Sequence, residues 1–303
     1  MNIMTRNINF VSKFKKANIF SLIIFTLSVI FIFFKGLNYG IDFKGGTLIE
    51  LRSSDNKINV SSLRDNLNQL NLGDVSVKNF GNETDFLIKF ENSDNKNVIK
   101  EIKLKLENSF GNNFDFRRVE NVGPKVSAEL LRSGVIAISV ALFLMLVYIW
   151  IRFEWQFSLG AITALFHDVI VTLGVFSLLG LEINLSIIAA VLTIVGYSMN
   201  DTVVIYDRIR ENLGKFHKLN ISDIANLSIN ETLARTIITS VTTLLALFSI
   251  FILGGEILKG FSFAMIVGVF IGTYSSIFIA SPVLKYLKVT SKTLEKKEEN
   301  IVP

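Results

Sequence analysis

The sequence predicts a polytopic α-helical membrane protein with six transmembrane helices and an extracytoplasmic α+β domain. Half of the 303 residues are hydrophobic and only 19% are charged, whereas a soluble domain is usually about a quarter charged. Several apolar runs approach the roughly 20 residues that cross the hydrocarbon core of a bilayer. One polar stretch of mixed charge interrupts these runs, which predicts a globular domain outside the membrane.

The first apolar run covers residues 17–34 and follows a basic N-terminus, residues 1–16. A cleaved signal peptide is the alternative to a membrane span, because such peptides also begin with basic residues. The run is long enough to span the bilayer, and no small-x-small cleavage site follows it. The pattern therefore favours an uncleaved first transmembrane helix.

The polar stretch, residues 35–132, has the periodicities of a small globular domain. Strand-like and helix-like segments follow one another at 47–53 (strand), 61–72 (helix), 74–80 (strand), 85–90 (strand), 96–110 (helix) and 114–119 (strand). This βαββαβ order is that of a ferredoxin-like sandwich. The domain shows no catalytic constellation, so we do not expect an enzyme.

Residues 133–284 are predicted to form a five-helix membrane bundle. The spans are 133–151, 157–179, 183–206, 236–253 and 261–283, with a charged loop at 207–235 and a charged tail at 285–303. Amphipathic stretches in the loop predict one helix that continues beyond the membrane and a second that lies at the interface.

The orientation follows from the basic residues near the span ends. One set of ends carries Arg6, Lys13, Lys15, Lys16, Arg152, Arg208, Arg210, Lys215, Lys218, Lys285, Lys288 and Lys292. The other short connections carry only Lys259. The positive-inside rule therefore predicts that both termini and the 207–235 loop are cytoplasmic and that residues 35–132 are outside.

Ionisable residues inside the predicted spans are candidates for function, because a charge in the bilayer is costly. The third span contains His167 and Asp168 near its middle, and the fifth opens with Arg235. Asp201 lies about 9 Å inside the cytoplasmic end of the fourth span at about 1.5 Å per residue. An acid and a movable arginine can form a proton switch, but they can equally form a static pair that fixes helix register. His167 fits a packing hydrogen bond as well as a relay.

Composition narrows the chemistry further. The absence of cysteine excludes disulfides, Cys-zinc sites and thiol catalysis. The net charge of +5 fits basic cytoplasmic loops better than binding of nucleic acid. We predict no metal and no cofactor, with protons as the coupling ion.

Gly268 and Gly272 form a GxxxG pair in the last span, which favours close packing within the bundle over a dimer seam.

Six strings of the sequence carry a resemblance to a known family. They are 40–47 (GIDFKGGT), 122–127 (VGPKVS), 152–155 (RFEW), 166–168 (FHD), 197–211 (YSMNDTVVIYDRIRE) and 230–236 (NETL-A-RT). In this order relative to the spans, they resemble the SecF branch of the SecD/SecF family of protein-export membrane proteins, across essentially the whole chain. Within these strings, the individual residues that match the family's motifs include Asp42, Gly45, Gly46, Gly123, Pro124, Asn200, Asp207 and Arg208.

The resemblance implies one half of a pseudo-symmetric, RND-like assembly in the bacterial inner membrane, completed by SecD as a separate chain. It implies use of the proton-motive force to help the SecYEG channel export unfolded polypeptide, with YajC and YidC as further partners. By motif, Asp201 is similar to the family's proton-carrying acid and Arg235 to its essential arginine. Asp168 matches the acidic position of the third helix, and the outer domain would help to capture emerging polypeptide.

Three other functions are compatible with parts of the sequence. An RND-type efflux or lipid half-transporter would need a similar partner, because this chain has one external domain. An intramembrane aspartyl protease could use Asp168 and Asp201, since two acids can share a proton and activate water. The usual Gly-x-Gly-Asp setting is absent, however. A membrane-tethered sensory module would need no charges in its spans.

Overall fold

The structure is a computed structural model, and it describes residues 8–55, 58–70, 72–91, 97–111, 114–291 and 293. The chain forms two compact units. The helical unit comprises residues 1–38, 137–181 and 186–303, and the sheet unit comprises residues 39–136 and 182–185. Two residues used for the predicted orientation, Arg6 and Lys292, lie outside the described residues.

The helices and strands follow one another along the chain as follows. A 3₁₀ turn (Val11–Lys13) precedes α1 (Phe14–Phe34), β1 (Asn38–Tyr39), α2 (Ile41–Lys44), β2 (Gly46–Ser53), α3 (Val60–Asn68), β3 (Ser76–Phe80), β4 (Asn82–Phe90), α4 (Val98–Phe110), β5 (Phe114–Val122), α5 (Pro124–Arg152), α6 (Trp155–Leu179), β6 (Glu182–Ile183), α7 (Leu185–Lys215), α8 (Ile221–Leu253), α9 (Gly255–Ser275), a π-helical turn (Ser276–Ala280) and α10 (Ser281–Tyr286).

Among the described residues, six helical segments are long and apolar enough to cross a membrane. They are α1, α5, α6, α7, α8 and the last span, which consists of α9, the π turn and α10. The predicted fold class is therefore confirmed. Burial divides these segments into two groups: 56%, 50% and 61% of the most apolar window is buried in α6, α7 and the last span, against 11–17% in α1, α5 and α8. The three more buried segments, α6, α7 and the last span, form the interior of the helical unit, where polar groups can be shielded from lipid.

The predicted cytoplasmic loop 207–235 is almost entirely helical. The fourth span extends to Lys215, as the amphipathic pattern predicts, and only residues 216–220 separate it from α8. The second predicted helix does not lie separately at the interface, because it is continuous with the fifth span from Ile221 onwards. Asn220 is the N-cap of this helix, because its side chain accepts a hydrogen bond of 2.9 Å from the backbone N–H of Asp223.

Other predicted bounds shift where polar helical turns adjoin apolar ones. The second span is predicted to start at residue 133, where the apolar run begins. The helix α5 begins earlier, at Pro124, because polar turns precede the apolar ones in the same helix. In the sheet unit, the helix predicted at 61–72 ends at Asn68, where a tight turn from Leu70 N–H to the Leu67 carbonyl follows.

The last span packs closely on α7 through its glycine pair. A Cβ on Gly268 would lie 2.3 Å from Ile194 Cγ1, and a Cβ on Gly272 would lie 3.0 Å from Ser198 Cβ. The GxxxG pair therefore serves packing within the bundle, as predicted.

The sheet unit contains a four-stranded antiparallel sheet in the order β3–β4–β2–β5. Its core lies between one face of the sheet and the helices α3 and α4, where Ile49 and Ile88 from the sheet meet Leu63 and Ile102 from the helices. The element order confirms the predicted βαββαβ succession, and the strand order is compatible with a ferredoxin-like arrangement.

The opposite face of the sheet carries ion pairs. Arg52 on β2 and Asp85 on β4 are directly opposite one another and form a bidentate pair. The hydrogen bonds from the Arg52 guanidinium hold the pKa of Asp85 below its ordinary value, although partial burial acts in the other direction.

Candidate functional site

Asp168 is fully buried in the middle of α6 and ties three helices together. Its Oδ2 accepts hydrogen bonds from the hydroxyls of Ser198 on α7 (2.6 Å) and Ser275 at the end of α9 (2.7 Å). Its Oδ1 lies 3.0 Å from Nδ1 of His167. Both oxygens of this carboxylate therefore have partners, as buried polar atoms normally do.

His167 lies at the contact between α6 and α1. Its ring stacks on Phe25, with the centroids 6.3 Å apart and the planes at 16°. Nδ1 faces Asp168, whereas Nε2 is buried and has no hydrogen-bond partner among the described residues. His167 therefore links the packing of α1 to the Asp168 carboxylate.

Asp201 lies on α7 in a different environment. Only 3% of the residue is exposed, and its buried Oδ2 has no hydrogen-bond partner in the part of the chain that is described. The polar groups that act on the carboxylate are the Thr273 hydroxyl of α9 and the Arg235 guanidinium of α8. A buried polar atom without a partner costs about 1–3 kcal/mol. Asp168 thus has partners on both carboxylate oxygens, whereas Oδ2 of Asp201 has none among the described residues.

Two hydroxyl pairs connect the last span to α7 and α8, one through Thr202, the residue after Asp201, and one through Thr273, which acts on the Asp201 carboxylate. Thr202 Oγ1 lies 2.8 Å from Ser276 Oγ, and Ser240 Oγ lies 2.7 Å from Thr273 Oγ1. The sequence-based reasoning did not identify Thr273, Ser275 or Ser276. Their close spacing in an apolar span was the available signal, but it is weak because such hydroxyls commonly bond to their own helix.

A cavity of about 600 Å³ opens along the face of α7 that carries Asn200, and its lining residues come from α5, α7 and α8. Asn200, Arg235 and Tyr148 are exposed there, whereas the buried Asp201 is not among the lining residues. The Arg235 guanidinium acts on the Asp201 carboxylate from beyond the 4.0 Å at which the two would form an ion pair. The structure therefore brings the two predicted residues into one region without pairing them.

The other charged motif residues on α7 form ion pairs with neighbouring helices. Asp207 accepts a hydrogen bond of 2.8 Å from Arg152 of α5. Arg208 donates to Glu231 of α8 and to Glu211 of α7, both at 2.6 Å. These residues connect helix ends and do not contact Asp168 or Asp201.

The Asp-Phe-Lys-Gly-Gly motif has a structural role in the sheet unit. Gly45 and Gly46 adopt φ of +79° and +134°, and a Cβ on Gly46 would lie 2.7 Å from the Phe90 carbonyl oxygen. Only glycine fits such a conformation at such a close approach. Asp42 Oδ2 accepts a hydrogen bond of 2.9 Å from the backbone N–H of Leu185, the first residue of α7.

Gly123 and Pro124 mark the start of α5. Pro124 is its first residue, where the missing backbone N–H needs no partner. The Gly123 carbonyl accepts a hydrogen bond of 3.0 Å from the N–H of Ser127, and the Ser127 hydroxyl donates to the Pro124 carbonyl at 3.0 Å.

The fold and the buried groups together define a class of protein. In the described part of the chain, six helices are long and apolar enough to span the membrane, the carboxylates of Asp168 and Asp201 are buried on the innermost spans, and Arg235 lines an open cavity next to α7. Ionisable residues inside a helix bundle are typical of membrane proteins that move ions or substrates.

The chain belongs to the SecD/SecF family of protein-export membrane proteins. The family described as "Protein export membrane protein SecD/SecF, C-terminal" matches residues 102–290, and the "SecD/SecF GG Motif" matches residues 30–56. The second match contains the glycine pair whose conformation excludes side chains.

Similar proteins include two from Rickettsia that are each named "Protein translocase subunit SecF". The protein from Rickettsia felis is 48% identical over 290 residues, which cover 93% of this chain and 94% of the relative. The protein from Rickettsia bellii is 50% identical over 275 residues, which cover 89% and 90%.

The fold is also similar to two crystal structures of SecDF. That of the translocon-associated SecDF from Thermus thermophilus has 38% sequence identity and a TM-score of 0.85, and the match covers 95% of this chain. SecDF in a super-membrane-facing form has 36% identity and a TM-score of 0.71 over 99% of this chain. This chain spans only 40% and 41% of those longer chains.

Proposed function

We propose that this chain is a SecF-like subunit that works with SecD and uses the proton-motive force to drive or complete export of unfolded polypeptide through the SecYEG channel. It would lie in the bacterial inner membrane with both termini in the cytoplasm and the sheet unit outside, with YajC and YidC as further partners. Protons are the coupling ion in this proposal, and no cofactor or enzymatic step takes part.

The observation that carries the proposal is the buried Oδ2 of Asp201, which has no hydrogen-bond partner among the described residues. A charged carboxylate in the interior of a membrane bundle is costly unless donors or a cation support it. Arg235, which lines the cavity on the neighbouring face of α7, is the cation that acts on this carboxylate. Binding a proton or pairing with Arg235 are two ways to relieve the same cost, so the two processes compete.

This competition supplies a coupling device. When Asp201 is charged, it attracts Arg235 and draws α7 and α8 together; when it is protonated, the attraction is lost and the arginine stays in the cavity. In the structure, Asp201 and Arg235 are not paired, so pairing would require a movement of the arginine. Asp168 does not fit the mobile role, because Ser198, Ser275 and His167 already occupy its oxygens. We assign it to holding α6, α7 and α9 in register.

The need for a partner agrees with the surface of the helical unit. Helix α5 exposes Phe143, Leu144 and Tyr148, and Tyr148 lines the cavity next to Arg235. A cavity that is lined by charged side chains such as Arg235 would meet lipid in an isolated chain, which is unfavourable. A second, similar bundle from SecD would close it, and the greater length of the similar SecDF chains fits such an arrangement.

The experiment that tests the function is export into inverted vesicles with and without an imposed proton gradient. Asp201→Asn mimics the protonated acid, and Arg235→Ala removes its cation. Both are expected to abolish the gradient-dependent gain in export while the protein remains inserted and bound to SecD. Lys218→Ala, which removes an exposed cation from the connection between α7 and α8, is the matched control and should keep the gain.

The outcome also separates the alternatives. If Asp201→Asn keeps the full gradient-dependent gain, the acid is structural and the proposed coupling is wrong. Movement of small molecules without any effect on export would favour an efflux half-transporter, and cleavage of a membrane substrate that depends on Asp168 and Asp201 would favour a protease.

A further inference from the structure

The described N-terminal residues are bound to α8 by side-chain amides. We call residues 8–13 the N-terminal strap. Asn230 makes a two-point contact with Ile8: its Oδ1 accepts from the Ile8 N–H, and its Nδ2 donates to the Ile8 carbonyl, both at 2.8 Å. One helical turn earlier, Asn226 Oδ1 accepts from the N–H of Phe10 at 2.8 Å and of Val11 at 3.4 Å.

The strap also packs against the last span. Phe10 is 8% exposed and Phe14, which follows the strap, is 3% exposed. Their rings meet Phe278 in the π-helical turn, at centroid distances of 6.1 and 6.4 Å. The same turn contains Ser276, whose hydroxyl lies 2.8 Å from Thr202, the residue after Asp201. The strap therefore connects α8 to the part of the last span that contacts the surroundings of Asp201.

The strap contacts α8 on the side opposite to Arg235. Asn226 and Asn230 precede Arg235 by nine and five residues, which at about 100° per residue places them roughly 180° and 140° around the helix axis. The rise from Asn230 to Arg235 is about 7.5 Å. The two amides thus hold the side of α8 that faces the strap, close to the level of Arg235, while Arg235 itself faces the cavity on the other side.

We propose that Asn226 and Asn230 are positioning residues, which clamp the N-terminal strap and thereby set how closely Arg235 approaches Asp201. This inference rests on the proposed proton coupling for its functional part, but the clamp itself is a structural claim. The contact is partly buried, and backbone groups that are shielded from water need partners, so loss of the amides releases the strap and leaves α8 free to shift against the last span.

The test uses Asn226→Leu and Asn230→Leu, which keep the approximate size of the side chain and remove its hydrogen bonds. Asn230→Gln keeps the amide and is the conservative rescue. Thr242→Val is the control, because the Thr242 hydroxyl bonds only within α8. Spin labels are attached to cysteines that replace Ser12 in the strap and the exposed Ile238 on α8. Because this chain has no cysteine of its own, it carries no other label.

Two measurements on the full chain in complex with its partner decide the proposal. The leucine variants should broaden the distance distribution between the two labels and lose the gradient-dependent gain in export, with gradient-independent export unchanged. The glutamine and valine variants should resemble the parent in both measurements. An unchanged distance distribution in the leucine variants would overturn the clamp, and a broadened distribution with a full gain would overturn the positioning role.

Failure of the proposed function gives a different result. In that case, the parent protein itself shows no gradient-dependent gain, or Arg235→Ala retains it. The positioning role is then overturned as well, while the label distances still decide whether the strap is clamped.

Discussion

Asp168 offers the sharpest test of the division between a structural and a mobile carboxylate. Asp168→Leu removes the acceptor of three donors: the hydroxyls of Ser198 and Ser275 and Nδ1 of His167. Ser275 has a second acceptor in the Gly272 carbonyl at 3.1 Å, so two donors lose their only partner in the described structure. At about 1–3 kcal/mol for each unsatisfied buried donor, the loss is roughly 2–6 kcal/mol.

We expect a value towards the lower end of this range, because leucine also removes the cost of burying the polar carboxyl group. Asp168→Asn should be milder, near 1 kcal/mol, since its carbonyl oxygen can accept from both serines and His167 can change tautomer to face the amide. The assay is thermal unfolding of the purified complex, monitored by loss of monodisperse protein.

Asp201→Leu is the matched control, because it makes the same substitution at a buried carboxylate whose Oδ2 lacks a partner. It should destabilise the protein less than Asp168→Leu, whereas in the export assay Asp201→Asn should be severe and Asp168→Asn mild. If Asp168→Leu unfolds at the temperature of the parent protein, or if the two leucine variants are equally destabilised, Asp168 does not hold the helices in register.

Three further predictions concern other parts of the chain. Gly268→Ala places a methyl group 2.3 Å from Ile194 and should lower the free energy of unfolding by about 1–3 kcal/mol, measured by thermal unfolding. Gly214→Ala is the control, because its methyl group meets nothing within 4 Å. Equal stability of the two variants would contradict the close packing at Gly268. Because the pKa of Asp85 is lowered, its ion pair with Arg52 stabilises the sheet unit above the unfolded pKa, near 4, and that stability is lost as the pH falls through the folded pKa. Hydrogen exchange in β4, corrected for intrinsic rates, should therefore accelerate on acidification, and Asp85→Asn should abolish this pH dependence. Finally, a membrane-impermeant thiol reagent applied to intact cells should label a cysteine at Asn82 and not one at Lys218; the reverse pattern would invert the proposed orientation.

The sequence was sufficient for the features that depend on local pattern. Apolar length identified the spans, and alternation identified the order of strands and helices in the sheet unit, because both signals lie within each element. The extension of α7 to Lys215 also followed from a local amphipathic pattern. By contrast, the continuity of α8 from Ile221 was missed, because charged residues at the start of a helix resemble those of a loop.

The arrangement around the carboxylates depended on contacts that are distant in sequence. Ser198 and Ser275 lie 30 and 107 residues from Asp168, and single hydroxyls in apolar spans give no sign of what they bond. The sequence identified Asp168, Asp201 and Arg235 as unusual, since charges in spans are rare. It could not show which acid has its hydrogen-bond partners, and the roles proposed for the two acids rest on this difference.

The π-helical turn has a mechanical consequence for the last span. One extra residue in a turn rotates everything after it by about 100° relative to a straight α-helix. Side-chain hydroxyls bond to carbonyls in this turn: Tyr206 donates to Ala280 and Ser281 to Ser276, both at 3.0 Å. These side chains give partners to two carbonyls of the turn, where the regular pattern of backbone hydrogen bonds changes. The extra residue thus resets the faces of the last span between α9, whose glycines pack against α7, and the buried α10, at the level where Ser276 contacts Thr202, the residue after Asp201.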